Sequence, residues 1–163
     1  MPTVRPAGEE DLPPMLDIYN DIILHTTAVY SYDPHTPDMR KTWFEEKQQK
    51  GHPVFVAEQG GRILGFSSYG PFRPWAAYQF TVENSVYVAE QERGKGIGKL
   101  LIPPLINHAR AAGLHAMISS IDASNEASLK LHRSFGFEEV ARFREVGFKF
   151  GRWLDLNFLE LIL

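Results

Sequence analysis

The chain has 163 residues, 44% of them hydrophobic and 23% charged, with a formal net charge of -3 and no cysteine. This size and balance suit one folded domain over residues 1–163 and exclude a disordered chain, disulfides and thiol catalysis, while the mild negative charge argues against a nucleic-acid partner. No apolar run approaches the ~20 residues that cross a membrane, and the N-terminus lacks the basic-then-apolar pattern of a secretory signal, so the expected location is cytoplasmic.

Thr3 to Pro6 reads as a short strand, and Leu12, Met15, Leu16, Tyr19, Ile22 and Ile23 share one face of a helix. His25 to Pro37 has no clean period and reads as a long loop, functional or disordered. A second helix opens at Pro37, where proline fits the first turn, and runs to Lys50 before Gly51. Val54 to Gln59 and Ile63 to Tyr69 form a hairpin around Gly60-Gly61, and Thr81 to Val88 is the next strand. The main helix follows a glycine-rich turn, with Ile97, Leu101, Leu105, His108 and Ala112 as its buried stripe. Pro103 and Pro104 fall inside that helix and predict a kink or a partly unwound stretch between Lys99 and Pro104. Ala116 to Ile121 reads as a strand, Asn125 to Phe135 as a helix, and Glu138 to Ile162 as a final pair of long strands. In that pair Leu154, Leu156 and Phe158 share one face, and Trp153, Asp155 and Asn157 share the other. The fold class is α/β, a mixed central sheet flanked by helices.

The turn between strand and main helix carries the clearest chemical signal. Arg93-Gly94-Lys95-Gly96-Ile97-Gly98 removes the side chains that keep an anion off the backbone, so successive N–H groups and the positive end of the helix can face one diphosphate. The spacing is neither that of a P-loop nor that of a dinucleotide-binding turn, and alone it reads equally as a tight turn before a helix. A second element follows in Asn125-Glu126-Ala127-Ser128-Leu129-Lys130-Leu131-His132, ending at Gly136-Phe137. Asn125, Ser128 and His132 fall on one helix face and can line a slot, although Asn125 also fits a plain N-cap and His132 a half-buried structural histidine.

Together, Arg-x-x-Gly-x-Gly and Asn-x-x-Ser-x-x-Leu-His-x-x-x-Gly-Phe resemble the acetyl-CoA signature of the GNAT N-acetyltransferase superfamily. Ile18-Tyr19-Asn20-Asp21, Thr81-Val82-Glu83-Asn84-Ser85-Val86-Tyr87-Val88 and Val146-Gly147-Phe148-Lys149-Phe150-Gly151-Arg152-Trp153-Leu154-Asp155-Leu156 resemble one branch, the bacterial phosphinothricin and methionine sulfoximine N-acetyltransferases. The resemblance implies a single-domain GNAT fold, a homodimer and direct transfer of acetyl from acetyl-CoA to the α-amino group of a small amino-acid-like substrate. It assigns the cofactor to Val86, Tyr87, Val88, Arg93, Gly94, Lys95, Gly96, Ile97, Gly98, Lys99, Asn125 and Ser128.

Acetyl transfer from a thioester to an amine asks for few side chains. An ammonium has no lone pair, so a base within reach of it is the group most needed. Glu83 is the candidate base, on the strand that leads into the cradle; its alternative role is a sheet-face carboxylate paired with an arginine. The branch resemblance puts the catalytic carboxylate at Glu83 and shares His132, the second catalytic candidate. Val86 N–H is the oxyanion donor, and Val88 pairs with the amide-bearing arm of the cofactor as an added strand. For the acceptor, Arg73 among Tyr78, Phe80 and neighbouring rings suits a carboxylate or phosphinate-like group, with Tyr30 and Tyr32 closing the other side. Lys149 reaches across the dimer interface in the branch pattern; the plain alternative is an exposed strand lysine. No His-Glu-x-x-His or Gly-x-Ser-x-Gly motif occurs, so neither a catalytic metal nor serine hydrolysis is expected. Another amine acceptor or a non-catalytic acyl-CoA binding module remain the alternatives.

Overall fold

Alternating apolar residues build seven strands that join in one mixed sheet, described over residues 1–163 of the computed structural model. The elements run β1 (Thr3–Pro6), α1 (Leu12–His25), α2 (Pro37–Lys50), β2 (Val54–Gln59), β3 (Arg62–Pro71), β4 (Thr81–Val88), α3 (Ile97–Ala111), β5 (Ala116–Asp122), α4 (Glu126–Arg133), β6 (Glu138–Lys149) and β7 (Arg152–Ile162). Their order in the sheet is β1-β2-β3-β4-β5-β7-β6, and only β4 and β5 pair in parallel. Two apolar clusters sandwich the sheet. Val82, Ile102, Leu105, Met117, Leu129 and Leu159 pack beneath α3 and α4, and Met15, Ile22, Phe44, Val56 and Phe66 pack beneath α1 and α2.

The parallel pair is short. Thr81 lies opposite Ala116, Val82 opposite Met117 and Glu83 opposite Ile118, and there the pairing stops. Beyond it β4 stays on β3 as far as Val88, while β5 follows β7 as far as Asp122. A V-shaped notch opens between them, and one edge of β4 has no strand partner from Asn84 onward.

The predicted helix starts hold for physical reasons. Thr36 caps α2, accepting from the Met39 N–H at 3.2 Å, and Gly51 ends it in the left-handed region at φ 68°. The helix expected over Asn125 to Phe135 covers only Glu126–Arg133, because Asn125 is its N-cap and Ser134 its C-cap. No unwound stretch appears at Pro103 and Pro104, since α3 is continuous from Ile97 to Ala111. The carbonyls deprived of partners belong to Lys99 and Leu100, both exposed residues, where water can serve them. Ala112, expected in the buried stripe, is exposed because it lies just past the helix end. The two faces expected of β7 alternate as read. Asn157 is buried and shares its face with the fully buried Leu159 under the α3 and α4 layer, so neither face of β7 is simply solvent.

Lys149 is the largest departure from expectation. It is 3% exposed, and its Nζ donates to the carbonyls of Ile23, Thr26 and Val29 at 2.6, 2.7 and 2.8 Å. Three acceptors use the three N–H bonds of an ammonium, and the positive charge sits at the C-terminal end of α1, where the helix dipole favours it. Lys149 therefore holds its own chain's loop after α1 rather than reaching out to another subunit. The hydroxyl of Tyr30 on the Asp155 carbonyl, at 2.9 Å, and that of Tyr32 on the Phe148 carbonyl strap the same loop to β6 and β7. Replacing Lys149 with Met strands three carbonyls, at ~1 kcal/mol or more each. A loss of about 3 kcal/mol is expected, lowering Tm by roughly 6 to 12 °C in a calorimetric scan. An unchanged Tm would show that the three contacts hold nothing.

Candidate active site

The site is built around the notch. On one side, Gly94 and Gly96 adopt φ values of 76° and 85°, which side chains resist, and Gly96 is the N-cap of α3. The turn and the helix start line a groove of about 780 Å³. Val86, Tyr87 and Val88 form one wall, Asn125 and Ser128 another, and Thr26 to Ala28 of the strapped loop the roof. Arg93, Ile97, Gly98 and Lys99 border it as expected, but Lys95 does not, its Nζ lying 3.2 Å from Glu92. Asn125 has both of its possible roles, capping α4 by accepting from the Ser128 N–H at 3.2 Å while lining the groove.

His132 is 2% exposed. Its Nδ1 lies 2.9 Å from the Ser128 carbonyl, an acceptor only, so Nδ1 carries the proton. Nε2 then accepts from Asn84 Nδ2 at 3.0 Å. Burial lowers its pKa below the ordinary histidine value and keeps the ring neutral. No N–H of this ring faces the notch.

A second cavity of about 340 Å³ shares Ala28, Val86, Tyr87, Asn125 and Ser128 with the groove, so the two meet at the notch. Strand alternation decides what faces it. Val82 and Val86 pack under α3 and α4, so Glu83 points to the opposite face, as do Ser120 and Asp122 of β5 and Leu156 and Phe158 of β7. Ser120 Oγ donates to Glu83 Oε2 at 3.3 Å. Burial raises the Glu83 pKa, and the Ser120 hydrogen bond and the charge of Arg73 offset this only in part. Tyr30 closes the cavity beside Asp122, its hydroxyl pKa raised by burial and then by that carboxylate.

These features place a half-buried carboxylate where an open strand edge meets a glycine-lined groove. The family model described as "Acetyltransferase (GNAT) family" matches residues 15–137. The chain belongs to the GNAT acetyltransferase family. This N-acetyltransferase is 46% identical over 162 residues to an L-methionine sulfoximine/L-methionine sulfone acetyltransferase of Pseudomonas aeruginosa, an alignment covering 99% of this chain and 94% of that one. It is 39% identical to a phosphinothricin N-acetyltransferase of Streptomyces coelicolor, with 96% and 94% covered. A Salmonella typhimurium acetyltransferase, solved with its cofactor acetyl-CoA, superposes with a TM-score of 0.98 at 42% identity, covering 99% of this chain and 94% of that one.

Not every residue expected in the acetyltransferase site lies there. Arg73, Tyr78 and Phe80 sit on an exposed loop outside both cavities. The rings reach the acceptor side in series, Phe158 of the cavity lying 6.0 Å from Phe72 and Phe72 lying 5.8 Å from Tyr78, while Arg73 acts on it through its charge, which favours ionised Glu83. Lys149 is absent too, its ammonium being spent on the loop. Ser120, Asp122 and Asn84 were not singled out by sequence reasoning. The usable signal was Ser119-Ser120-Ile121-Asp122, polar residues in a strand otherwise buried.

A pH profile tests the Ser120 contact. A base of raised pKa loses its charge as pH falls through a value above the ordinary glutamate range, so the acid limb of kcat/KM should lie above ~4.3. The Ser120 hydrogen bond favours the ionised form, so Ser120→Ala should raise the Glu83 pKa further and move that limb to higher pH. An acid limb that stays in place would show that the pair is not coupled.

Proposed function

We propose that this enzyme transfers acetyl from acetyl-CoA to the α-amino group of a small amino-acid-like substrate of the methionine sulfone, methionine sulfoximine and phosphinothricin class. The observation that carries the reading is Glu83, a half-buried carboxylate of raised pKa at the point where groove and acceptor cavity meet. The residues present fit the cofactor. Gly94 and Gly96 make the left-handed turn that exposes backbone N–H groups, Arg93 and Lys99 add positive charge, and the unpaired edge of β4 can take an amide-bearing arm as an added strand. When bound, acetyl-CoA supplies an acetyl group activated as a thioester.

Within a ternary complex, Glu83 takes the ammonium proton directly or through one water, and Ser120 keeps its carboxylate oriented. The freed lone pair attacks the acetyl carbonyl, and Val86 N–H stabilises the charge that develops on oxygen. Departure of a thiol of pKa ~8.5 needs little acid help, which matches a neutral His132 that fixes Asn84 and α4 instead of donating a proton. One observation favours a second acceptor class: neither lysine nor arginine lines the acceptor cavity, a setting that suits a polyamine as well as an amino acid. Thiol release measured across methionine sulfone, methionine sulfoximine, phosphinothricin and spermidine separates the two. Glu83→Gln should lower the rate ~10² to 10⁴ fold near neutral pH, with partial recovery at higher pH as substrate arrives deprotonated. A variant with the parental profile would remove Glu83 as base.

The homodimer reading rests on surface rather than on Lys149. The edge strand β6, its turn and the start of β7 expose Val140, Phe143, Val146, Phe148, Phe150 and Trp153, the last at 62%. Long apolar edges are usually covered, and a second copy of this face supplies a matching cover. Sedimentation should show a dimer, and a Phe150→Asp, Trp153→Asp double variant a monomer. A parent that sediments as a monomer at micromolar concentration would contradict the assignment.

A further inference from the structure

Asp122 ends β5 on the same face as Glu83 and Ser120, ~6.6 Å along the strand from the serine. It is 4% exposed. Its Oδ1 accepts from both the N–H and the hydroxyl of Ser124, each at 2.7 Å, which shapes the turn into α4. Its Oδ2 is buried with no hydrogen-bond partner. The chain's eight ion pairs leave Asp122 out, and the cavity that it borders has no lysine or arginine in its lining. Tyr30 stands close enough to the Asp122 carboxylate for it to raise the phenol's pKa, but the Tyr30 hydroxyl points its proton at the Asp155 carbonyl, 2.9 Å away, and is neutral in any case, so it supplies no counter-charge.

A buried carboxylate without a counter-charge is costly to a fold. The turn does not need that charge, because the side-chain oxygen of asparagine makes the same Asx turn. The uncompensated charge faces a cavity already supplied with a base, and a cationic ligand would neutralise it. We propose that Asp122 is the fixed counter-charge for the acceptor's ammonium group and sets the cavity's preference for cationic amines over their deaminated analogues. This rests on the reading that the cavity receives an amine, and it adds a division of labour between two carboxylates. Glu83 gives up its charge when it takes the proton, whereas Asp122 takes no part in that transfer and draws the ammonium in.

The test is equilibrium binding to the CoA-saturated protein, measured by calorimetry with L-methionine sulfone and with 4-(methylsulfonyl)butanoate, which lacks only the amine. The parent should prefer the amine, and Asp122→Asn, which keeps the Ser124 turn, should narrow that preference by about tenfold to a hundredfold. Affinity for CoA should hold in the variant, since Asp122 lines only the acceptor cavity. If Asp122→Asn does not fold, Asp122→Ser retains an oxygen for the turn and should give the same narrowing. A parent without preference, or a folded variant with the parental ratio, overturns the proposal. A parent that prefers the amine but acetylates neither amino acids nor spermidine contradicts the functional reading and leaves the role of Asp122 standing.

Discussion

Everything functional in this enzyme depends on how briefly β4 and β5 stay paired. Three residue pairs hold them together, and after Glu83 they separate because β4 remains on β3 while β5 follows β7. Had the ladder continued, the backbone edge of β4 would be hydrogen-bonded within the sheet, and no passage would join the two faces. The separation puts Glu83 at the apex of an opening whose two sides carry different chemistry. The α3 side offers glycine turns and positive side chains, and the β7 side offers carboxylates and rings.

The opening is roofed by a loop with little regular structure of its own, and polar contacts, one of them to a buried lysine, hold it there. The Lys149 ammonium on three carbonyls and the two tyrosine hydroxyls on strand carbonyls tie residues 23 to 32 to the β6–β7 hairpin. The same hairpin bears the exposed aromatic face that a second copy would cover. The roof of the site and this exposed aromatic face are thus two sides of one hairpin.

The charge distribution divides labour in the same way. Positive groups flank the groove, negative ones the acceptor cavity, and the only imidazole at the notch is held neutral between Asn84 and the Ser128 carbonyl. Burial acts on each acid and base in a predictable direction, raising Glu83 and lowering His132. Both shifts suit the proposed mechanism, in which Glu83 takes the proton and His132 gives none.

Much of the fold was legible in the sequence because its signals are local. The glycines of the cradle, the Asn125 cap, the Pro37 start and Gly51 stop of α2, and the period-two apolar runs each depend on neighbours in the chain, and the element order and α/β class follow from them. What the sequence could not decide depends on packing between distant segments. Lys149 lies far along the chain from the carbonyls that consume it, so its strand position alone left it free to point outward. The loop of Arg73, Tyr78 and Phe80 was read toward the pocket because of its place before Glu83; the Arg73 charge does act on Glu83, but these side chains lie outside the cavity lining, and nothing local fixes where a loop of rings will lie. Ser120 and Asp122 became visible only when register set their face beside Glu83. The sequence by itself determined the elements, the anion cradle and the family, since each is written in short-range pattern; the tertiary structure alone decided which charges are buried, paired or left without a partner, because burial is a property of the assembled sheet.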